Sequence, residues 1–418
     1  MFSKFREDFA SLRRKRNGKP PVYLDNGCMT LKPRQVIESI NEYFERYPAC
    51  SGYGRSNHWF SHEVKEATEK AREKVAGFIN SLPEEIVWTK NTTEGINLVA
   101  NAFPFKKGDI VITSDREHNS NLVPWIKLSR VKGIVHKTVP STQEGIFDLE
   151  AFEDMLSPDV KLVSMVHVSN LDGYTLPVEE IIKIAHDYNA RVLLDGAQSV
   201  PHRKVDIKNL EVDFLAFSVH KMLGPSIGVL YGNYDELKAL DTFIVGGDTV
   251  SDTSYTKAVF LPPPRKFEAG LQDYAGQIGA GAAVDYLSRV KMERVEAHER
   301  RLTELLIEKL SAFPEVKIAG VKNTELAKGI ISFRIEDNNR LLVAPSDIAE
   351  LLDRHYNIML RAGDLCLHSW FNHIGIGASG VARASFYIYN TREEIEILAE
   401  GIEKIIEAEK NGKSITHG

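Results

Sequence analysis

Three features of the 418-residue chain predict an α/β fold with a mainly parallel sheet. From residue 85 onward, short apolar runs at 85–89 and 109–114 alternate with stretches of helical periodicity, the pattern of a sheet with helices on both faces. The runs 192–194 and 214–219 are almost wholly apolar, as in strands buried on both faces. The chain is also longer than the size at which one hydrophobic core keeps growing, so a second, smaller domain is expected.

The composition, with 43% hydrophobic and 26% charged residues, is that of an ordinary soluble protein. A net charge of −6 argues against nucleic acid as a partner, because such binding depends on basic surface facing phosphates. The sequence has no apolar run of about 18 residues, and its first residues lack the apolar core of a secretion signal. We therefore expect a cytoplasmic protein with no membrane partner.

The three cysteines, Cys28, Cys50 and Cys366, lie far apart without a C-x-x-C pair. This spacing fits neither a disulfide framework nor a thiolate zinc site. His368 and His373 could hold a metal together with Cys366, but their spacing is too loose to predict a metal centre. We expect no metal, and each thiol has to be judged by its own surroundings.

The chain divides into three predicted parts: an N-terminal helical segment (1–22), a large domain (23–284) and a small α+β domain (285–418). Apolar residues of the first part recur at helical spacing and predict a helix packed on the body, with a membrane-surface helix as the alternative. The charged amphipathic stretch 285–312 predicts one long helix at the domain boundary. Residues 49–62 and 246–256 lack periodicity and predict loops.

Two ionisable residues follow the buried apolar runs and have the chemistry of a pyridoxal phosphate site. Asp195 directly follows 192–194 and Lys221 follows 214–219, so both are predicted at the carboxyl edge of the sheet. A lysine at the rim of a buried site can lose its proton and form a Schiff base with an aldehyde cofactor. The cofactor's ring nitrogen needs an acidic partner. Taken singly, the two residues also fit a turn aspartate and a solvated lysine.

The segments DGAQS (195–199) and FSVHK (217–221) resemble the fold-type I pyridoxal phosphate enzymes of the class V aminotransferase group. The cysteine desulfurases and selenocysteine lyases of that group are the most similar. The resemblance runs from about Tyr23 to Thr391. It implies pyridoxal 5'-phosphate as the cofactor, a seven-stranded sheet in the large domain, and a homodimer.

The resemblance also implies how the cofactor is held. The cofactor-binding residues that it predicts are Thr92, Thr93, His118, Asn170, Asp195, Gln198, Ser218, His220, Lys221 and Gly270. The threonines, at a predicted helix start, would bind the phosphate with Ser218 and His220. His118 would stack on the ring, and Asn170 and Gln198 would bind its phenolic oxygen. Gly270 belongs to a segment, FEAG, that crosses to the partner's phosphate, and Leu271 replaces the threonine that usually follows it.

A loop near the end of the chain resembles the segment that carries the catalytic cysteine of the desulfurases. It runs from Arg361 to Cys366, and Arg383 matches the arginine that binds the substrate carboxylate. Arg361, Arg55 and His58 complete the predicted substrate site. The implied reaction converts L-cysteine to L-alanine and leaves the sulfur as a persulfide on Cys366, with Lys221 and His118 as the other catalytic residues. It also implies a sulfur-acceptor or scaffold protein and the supply of sulfur to iron–sulfur clusters.

The cysteine loop departs from the family pattern, in which two histidines precede the cysteine. This chain has Asp364 and Leu365 there, and an aspartate near a thiol opposes its ionisation. Selenocysteine lyase, cysteine β-lyase and class V aminotransferase therefore stay open as alternative activities. A non-enzymatic binding protein with the same fold is the alternative from another functional class.

Overall fold

The computed structural model describes residues 3–51, 56–338, 340–376 and 379–412. The strands in these ranges are β1 (Val22–Tyr23), β2 (Ile86–Thr89), β3 (Ile110–Ser114), β4 (Val135–Val139), β5 (Val160–Val166), β6 (Arg191–Asp195), β7 (Phe214–Ser218), β8 (Gly228–Gly232), β9 (Val250–Thr253), β10 (Ala258–Phe260), β11 (Val316–Ala319), β12 (Ile330–Asp337), β13 (Arg340–Val343), β14 (Ile358–Met359), β15 (Arg361–Gly363) and β16 (Val381–Ser385).

The helices in the same ranges are α1 (Ser3–Arg6), α2 (Arg34–Arg46), α3 (Trp59–Phe78), α4 (Thr92–Ala102), α5 (Asn119–Val131), α6 (Leu149–Asp154), α7 (Val178–Asp187), α8 (Ile207–Leu210), α9 (Tyr234–Ala239), α10 (Tyr274–Val290), α11 (Met292–Ser311), α12 (Pro345–Tyr356), α13 (His368–His373) and α14 (Arg392–Lys410). None of these helices is long and apolar enough to cross a membrane.

The large domain is built on a seven-stranded sheet in the order β2-β8-β7-β6-β5-β3-β4. Only β8 runs against the other strands of this sheet, since it pairs antiparallel with both β2 and β7. Alternate side chains enter two separate cores: Leu194 belongs to one cluster and Leu193 to the other. Because successive side chains of a strand point to opposite faces, helices cover the sheet on both sides. The predicted α/β fold with a mainly parallel sheet is confirmed.

One glycine allows the sheet to approach the loop before α4. A Cβ atom on Gly228, at the start of β8, would lie 2.4 Å from the Cα atom of Asn91. No other residue type fits so close to a backbone. The side chain of Asn91 accepts a hydrogen bond from the Glu94 N–H and caps α4. The amino end of α4 is thereby held at the edge of the sheet.

The small domain has its own antiparallel sheet, in the order β11-β12-β16-β15 with β13 also paired to β12. Its core includes Phe333 and Phe386, and helices α11, α12 and α14 contribute Leu306, Ile348 and Ile402. The described residues before Asp25 contact elements of both domains. β1 pairs with β14 of the small domain, whereas the earlier Phe9 is fully buried between the rings of Tyr286 and Tyr389.

Three sequence predictions of local structure were wrong in detail. The single helix expected over 285–312 is two helices, which separate at Lys291, where φ is +74°. No glycine or proline marks this break. The expected loop 246–256 contains β9, which pairs with β10 in an exposed hairpin; its polar side chains hide the strand signal. The expected loop 49–62 ends at His58, where α3 begins.

Candidate active site

A cavity of about 420 Å³ opens at the carboxyl ends of β5, β6 and β7, beside the small domain. Parallel strands present their carboxyl ends at one edge of a sheet, which is where ligands bind in open α/β folds. The predicted site residues that line this cavity are Thr92, Thr93, His118, Asn170, Asp195, Gln198, Ser218, His220, Lys221, Arg361, Cys366 and Arg383. The fold therefore brings together residues from both domains.

Asp195 and Lys221 both line this cavity, and the charge of each influences the pKa of the other. Asp195, at the end of β6, is only 3% exposed, and its Oδ1 accepts a hydrogen bond of 2.9 Å from the Ala197 N–H. Burial raises the pKa of Asp195, while the Ala197 N–H and the charge of Lys221 act in the opposite direction. Burial lowers the pKa of Lys221, and the charge of Asp195 partly offsets this shift. The lysine is thus shifted toward its neutral, nucleophilic form.

The amino end of α4 forms an anion-binding corner with β7. The Thr92 N–H donates to Ser218 Oγ at 2.8 Å, and the hydroxyls of these two residues lie 2.6 Å apart. Thr93 Oγ1 lies 2.7 Å from Ser120 Oγ. Free N–H groups and the helix dipole favour a phosphate at such a position. His220 lines the same cavity, and burial lowers its pKa to about 4.

His118 is held as a neutral imidazole. Its Nδ1 accepts a hydrogen bond of 3.1 Å from the Ser120 N–H and lies 3.0 Å from the Ser120 hydroxyl. Nδ1 therefore carries no proton, and the hydrogen of the neutral ring is on Nε2. Burial lowers the pKa of His118 to about 3, and the charges of Lys221 and Arg383 lower it further.

Two buried amides leave polar atoms without protein partners beside the cavity. Gln198 Nε2 donates to the Gly27 carbonyl at 2.7 Å, and Asn170 Nδ2 donates to the Leu365 carbonyl at 2.9 Å. The side-chain oxygens of Gln198 and Asn170 have no hydrogen-bond partner among the described residues. Because buried polar atoms are almost always paired, a polar ligand is expected here. The residues present fit pyridoxal phosphate, which has a phosphate, a phenolic oxygen and a ring nitrogen.

Two of the three predicted substrate arginines, Arg361 and Arg383, contact Asp25, a residue that the sequence did not single out. Arg383 is 3% exposed; its Nη1 donates to the Asn170 carbonyl at 3.0 Å and its Nη2 lies 3.5 Å from Asp25 Oδ1. Its Nε has no partner among the described residues. Arg361 Nε lies 3.6 Å from the same carboxylate oxygen, and its Nη2 donates to Cys28 Sγ. The carboxylate of Asp25 thus helps to orient both guanidinium groups.

The cysteine loop, residues 361–366, is hydrogen-bonded to the large domain. The Cys366 carbonyl accepts a hydrogen bond of 2.8 Å from the Asn119 N–H. Leu365 and Cys366 both have positive φ, +50° and +59°, a conformation that non-glycine residues adopt only when their surroundings hold them. The following helix, α13, buries Trp370 and Phe371 in a small cluster. These contacts keep the exposed thiol of Cys366 at the wall of the cavity.

Asp364 and His368 lie two residues before and two residues after Cys366, and their side chains contact each other. His368 Nε2 lies 3.5 Å from Asp364 Oδ2, and its Nδ1 lies 2.9 Å from the Asn119 amide nitrogen. His373, at the end of α13, does not line the cavity. In the described part of the chain, no three His, Cys, Asp or Glu side chains are placed to hold a metal ion.

Two predicted site residues, Gly270 and His58, do not line the cavity of the single chain. Gly270 has a φ of +74°, and its N–H donates to the Gly247 carbonyl at 2.8 Å. His58 caps α3, where its Nδ1 accepts from the Ser61 N–H at 3.3 Å. Arg55 lies outside the described residues.

Glu117, which the sequence did not single out, is a buried glutamate that links two strands next to the site. Its Oε1 accepts from the Ser114 hydroxyl at 2.6 Å and from the Val166 N–H at 2.9 Å, while its Oε2 accepts from the Asn121 amide at 2.6 Å. Burial raises the pKa of Glu117 to about 8, although these donors lower it. The carboxyl group ties the ends of β3 and β5 together, directly before His118. In sequence it looks like any loop glutamate.

Comparison with known proteins places the chain in a family. The model of the aminotransferase class-V family matches residues 22–398. The chain belongs to the class V aminotransferase family. The resemblance predicted from DGAQS and FSVHK is confirmed.

Two relatives of this class V aminotransferase family member carry desulfurase names. A probable cysteine desulfurase of Halobacterium salinarum is 38% identical and covers 96% of this chain and 95% of its own. A cysteine desulfurase of Haloferax volcanii is 37% identical and covers 95% of each.

Solved structures similar to this chain include cysteine desulfurases. The apo structure of a cysteine desulfurase from Thermococcus onnurineus has a TM-score of 0.90 at 35% identity, covering 97% of this chain and 98% of that one. The cysteine desulfurase CsdA of Escherichia coli, in an S-sulfonic acid form, has a TM-score of 0.88 at 30% identity with the same coverage. The cystine C-S lyase C-DES, at 23% identity and a TM-score of 0.78, shares the fold alone.

Three histidines with lowered pKa values, one buried and two half-buried, predict a pH-dependent contribution to the stability of the protein. Burial lowers the pKa of His118 and His167 to about 3 and that of His220 to about 4. In the unfolded chain a histidine has a pKa of about 6.5, so below that pH the unfolded state binds more protons. Each such histidine should therefore contribute a fall of about 1.4 kcal/mol per pH unit in the free energy of unfolding as the pH drops from about 6.5 toward 4. Glu117, whose pKa is raised to about 8, contributes in the opposite direction.

Urea unfolding of the protein at several pH values in this window measures the slope. His167→Asn should remove one such contribution, so its free energy of unfolding should fall by about 1.4 kcal/mol less per pH unit on acidification than that of the unmodified protein. His62→Asn, at an exposed position on α3, is the matched control. A His167→Asn variant with the same pH dependence as the unmodified protein would contradict this prediction.

Proposed function

We propose that this protein is a pyridoxal phosphate-dependent cysteine desulfurase, which converts L-cysteine to L-alanine and transfers the sulfur to Cys366. The observation that carries the proposal is a single cavity lined by Lys221, Asp195, Arg383 and the thiol of Cys366. A lysine with a carboxylate fits the cofactor, an arginine fits the substrate carboxylate, and a thiol fits a sulfur acceptor. The desulfurase relatives support the same reaction.

The cofactor would be held by groups that are already in place. Asp195 would hold the ring nitrogen in its protonated form, and the corner of Thr92, Thr93, Ser218 and His220 would hold the phosphate. When bound, pyridoxal phosphate supplies an electron sink for the substrate's α-carbon. His118 would lie against the ring as an uncharged surface that excludes water.

Arg383 would bind the substrate carboxylate. It is buried, its Nε lacks a partner among the described residues, and Asp25 holds its other end. A guanidinium that offers parallel N–H donors fixes a carboxylate in one orientation. Arg361, on the neighbouring strand β15, adds a second positive charge. The substrate sulfur would thereby be directed toward the cysteine loop.

Lys221 would move the proton. Because burial shifts its pKa downward, the Nζ atom can be uncharged and can accept the proton from the substrate's α-carbon. Cys366 would then attack the substrate sulfur as a thiolate. An S–S bond forms on the enzyme, the Cβ–S bond breaks with its electron pair left on carbon, and Cβ takes up a proton. L-Cysteine and one thiol thus become L-alanine and one persulfide.

The assembly is proposed to be a homodimer. A groove of about 500 Å³ lies between α3, the root of the β9–β10 hairpin and the FEAG segment. On the elements that border the groove, apolar side chains are exposed at Trp59, Val259, Phe260 and Leu271, the last being 72% exposed. Large apolar side chains exposed on the elements around one groove favour a protein interface. A partner's FEAG segment and His58 could reach the cavity from this face.

The protein is proposed to act in the cytoplasm. A desulfurase whose thiols must stay reduced suits the cytoplasm, and the cysteines of the described residues are all free. A sulfur-acceptor or scaffold protein would take the persulfide sulfur, for iron–sulfur clusters among other uses. Selenocysteine, whose selenium leaves more readily than sulfur, is a candidate second substrate.

Cys366→Ser tests the reaction. The variant should still bind L-cysteine and change the visible spectrum of the holoenzyme, because those steps do not need the thiol, but it should form no alanine. Alanine, sulfide and pyruvate are measured together with a thiol reductant present. Undiminished sulfide release by the variant would contradict the desulfurase proposal; pyruvate with ammonia would then indicate a β-lyase, and amine transfer to a 2-oxo acid an aminotransferase.

Phe260→Glu tests the dimer. A buried, unpaired charge in the proposed interface should dissociate the protein and lower its activity, because the neighbouring chain's contribution to each site is lost. Sedimentation velocity gives the mass in solution. Val131→Glu, at an exposed apolar position at the end of α5, is the control and should stay dimeric. A fully active monomer of the unmodified protein would refute the proposal.

A further inference from the structure

We infer that Cys28 is a second sulfur-carrying thiol of the active site, which accepts the outer sulfur atom from the persulfide on Cys366. The inference rests on the proposed desulfurase reaction. In sequence the two cysteines are 338 residues apart, but in the structure both line the same cavity, together with Lys221. Cys50, by contrast, is an exposed cysteine that does not line it.

The sulfur of Cys28 has a dedicated cationic partner. Arg361 Nη2 donates a hydrogen bond to Cys28 Sγ, and since a guanidinium is a donor only, the sulfur is the acceptor. The carboxylate of Asp25 orients the same guanidinium. Arg383, whose buried Nε lacks a partner among the described residues, lines this cavity too. Sulfur anions in proteins are stabilised by such groups, so the site suits a persulfide anion.

The two thiols also share electrostatic neighbours. Burial lowers the pKa of Lys221, and the charges of Asp195, Cys28 and Cys366 oppose that shift. Cys28 and Cys366 likewise both act to raise the pKa of Arg361, against the effect of burial. The two cysteines and the two cations, Lys221 and Arg361, all line the same cavity.

The segment that carries Cys28 is fixed beside Lys221. The His220 carbonyl accepts hydrogen bonds from the Thr30 N–H at 3.1 Å and from Lys32 Nζ at 2.9 Å. The Leu223 N–H in turn donates to Thr30 Oγ1 at 2.8 Å. His220 and Leu223, which stand on either side of Lys221, are thus hydrogen-bonded to the segment that follows Cys28. Cys28 is half-buried and cannot leave the cavity wall without breaking these bonds.

The step is an exchange between sulfurs with no net oxidation. The Cys28 thiolate attacks the outer sulfur of the Cys366 persulfide, and a new S–S bond forms at Cys28. The S–S bond at Cys366 breaks, and its electron pair stays on Cys366 Sγ, which takes up a proton. Cys366 is then free for a second turnover while the first sulfur is held under Arg361. One chain can therefore carry up to two transferable sulfur atoms.

The experiment maps bound sulfur on the holoenzyme. The protein is incubated with L-cysteine in the absence of reductant, alkylated and digested. Mass spectrometry then gives the masses of the peptides that contain Cys28, Cys50 and Cys366. The Cys366 peptide should gain one sulfur first and the Cys28 peptide later, while the Cys50 peptide, the internal control, gains none. Cys28→Ser, which keeps a polar group beside Arg361, should reduce the bound sulfur per chain up to twofold.

Cys366→Ser decides the direction of transfer. The inference requires that its Cys28 peptide gain no sulfur, because Cys28 receives sulfur only from Cys366. Sulfur on Cys28 in this variant, or a Cys28 peptide that stays bare while Cys366 is loaded, would overturn the inference and leave the desulfurase proposal standing. If the unmodified protein forms neither alanine nor Cys366 persulfide, the proposed function fails and the inference fails with it.

Discussion

The site depends on burying a lysine and an aspartate in one cavity. β6 and β7 are neighbouring parallel strands in which Asp195 pairs with Ala216, so the turn that carries Lys221 begins close to the Asp195 carboxylate. Burial raises the pKa of the acid and lowers that of the base, and each charge partly stabilises the other. Isolated, either charge would be costly to bury. Placed together they are tolerated, and the lysine becomes a usable nucleophile and base.

The other parts of the cavity are arranged around this pair. The amino end of α4 reaches it because Gly228 lets the preceding loop approach β8. The small domain closes the remaining side through Arg383 and the cysteine loop. Asn170 joins the two domains directly, since its carbonyl accepts from Arg383 and its side chain donates to the Leu365 carbonyl. A shift of the small domain would therefore move the substrate arginine and the thiol together.

Much of the cavity's lining could be predicted from the sequence, because several of its residues directly follow strong apolar runs. Asp195 and Lys221 could be placed at the sheet edge from the apolar runs before them, and Thr92 and Ser218 from their resemblance to a known motif. What could not be predicted depends on contacts between distant segments. Nothing near Cys28 in sequence indicates Arg361, and nothing near Glu117 indicates burial. The helix expected over 285–312 breaks at Lys291, although neither glycine, asparagine nor proline, the residue types that usually end a helix, stands there.

The most direct test of the central claim is to identify the lysine that holds the cofactor. Borohydride reduction of the yellow holoenzyme fixes pyridoxal phosphate to that lysine, and peptide mapping locates it. The account predicts a label on Lys221, with loss of the label and of turnover in Lys221→Ala while the fold remains. Lys32 is the informative competitor, because it lies beside His220 and burial lowers its pKa to about 7. A label on Lys32, or alanine formation by Lys221→Ala at the unmodified rate, would contradict the account.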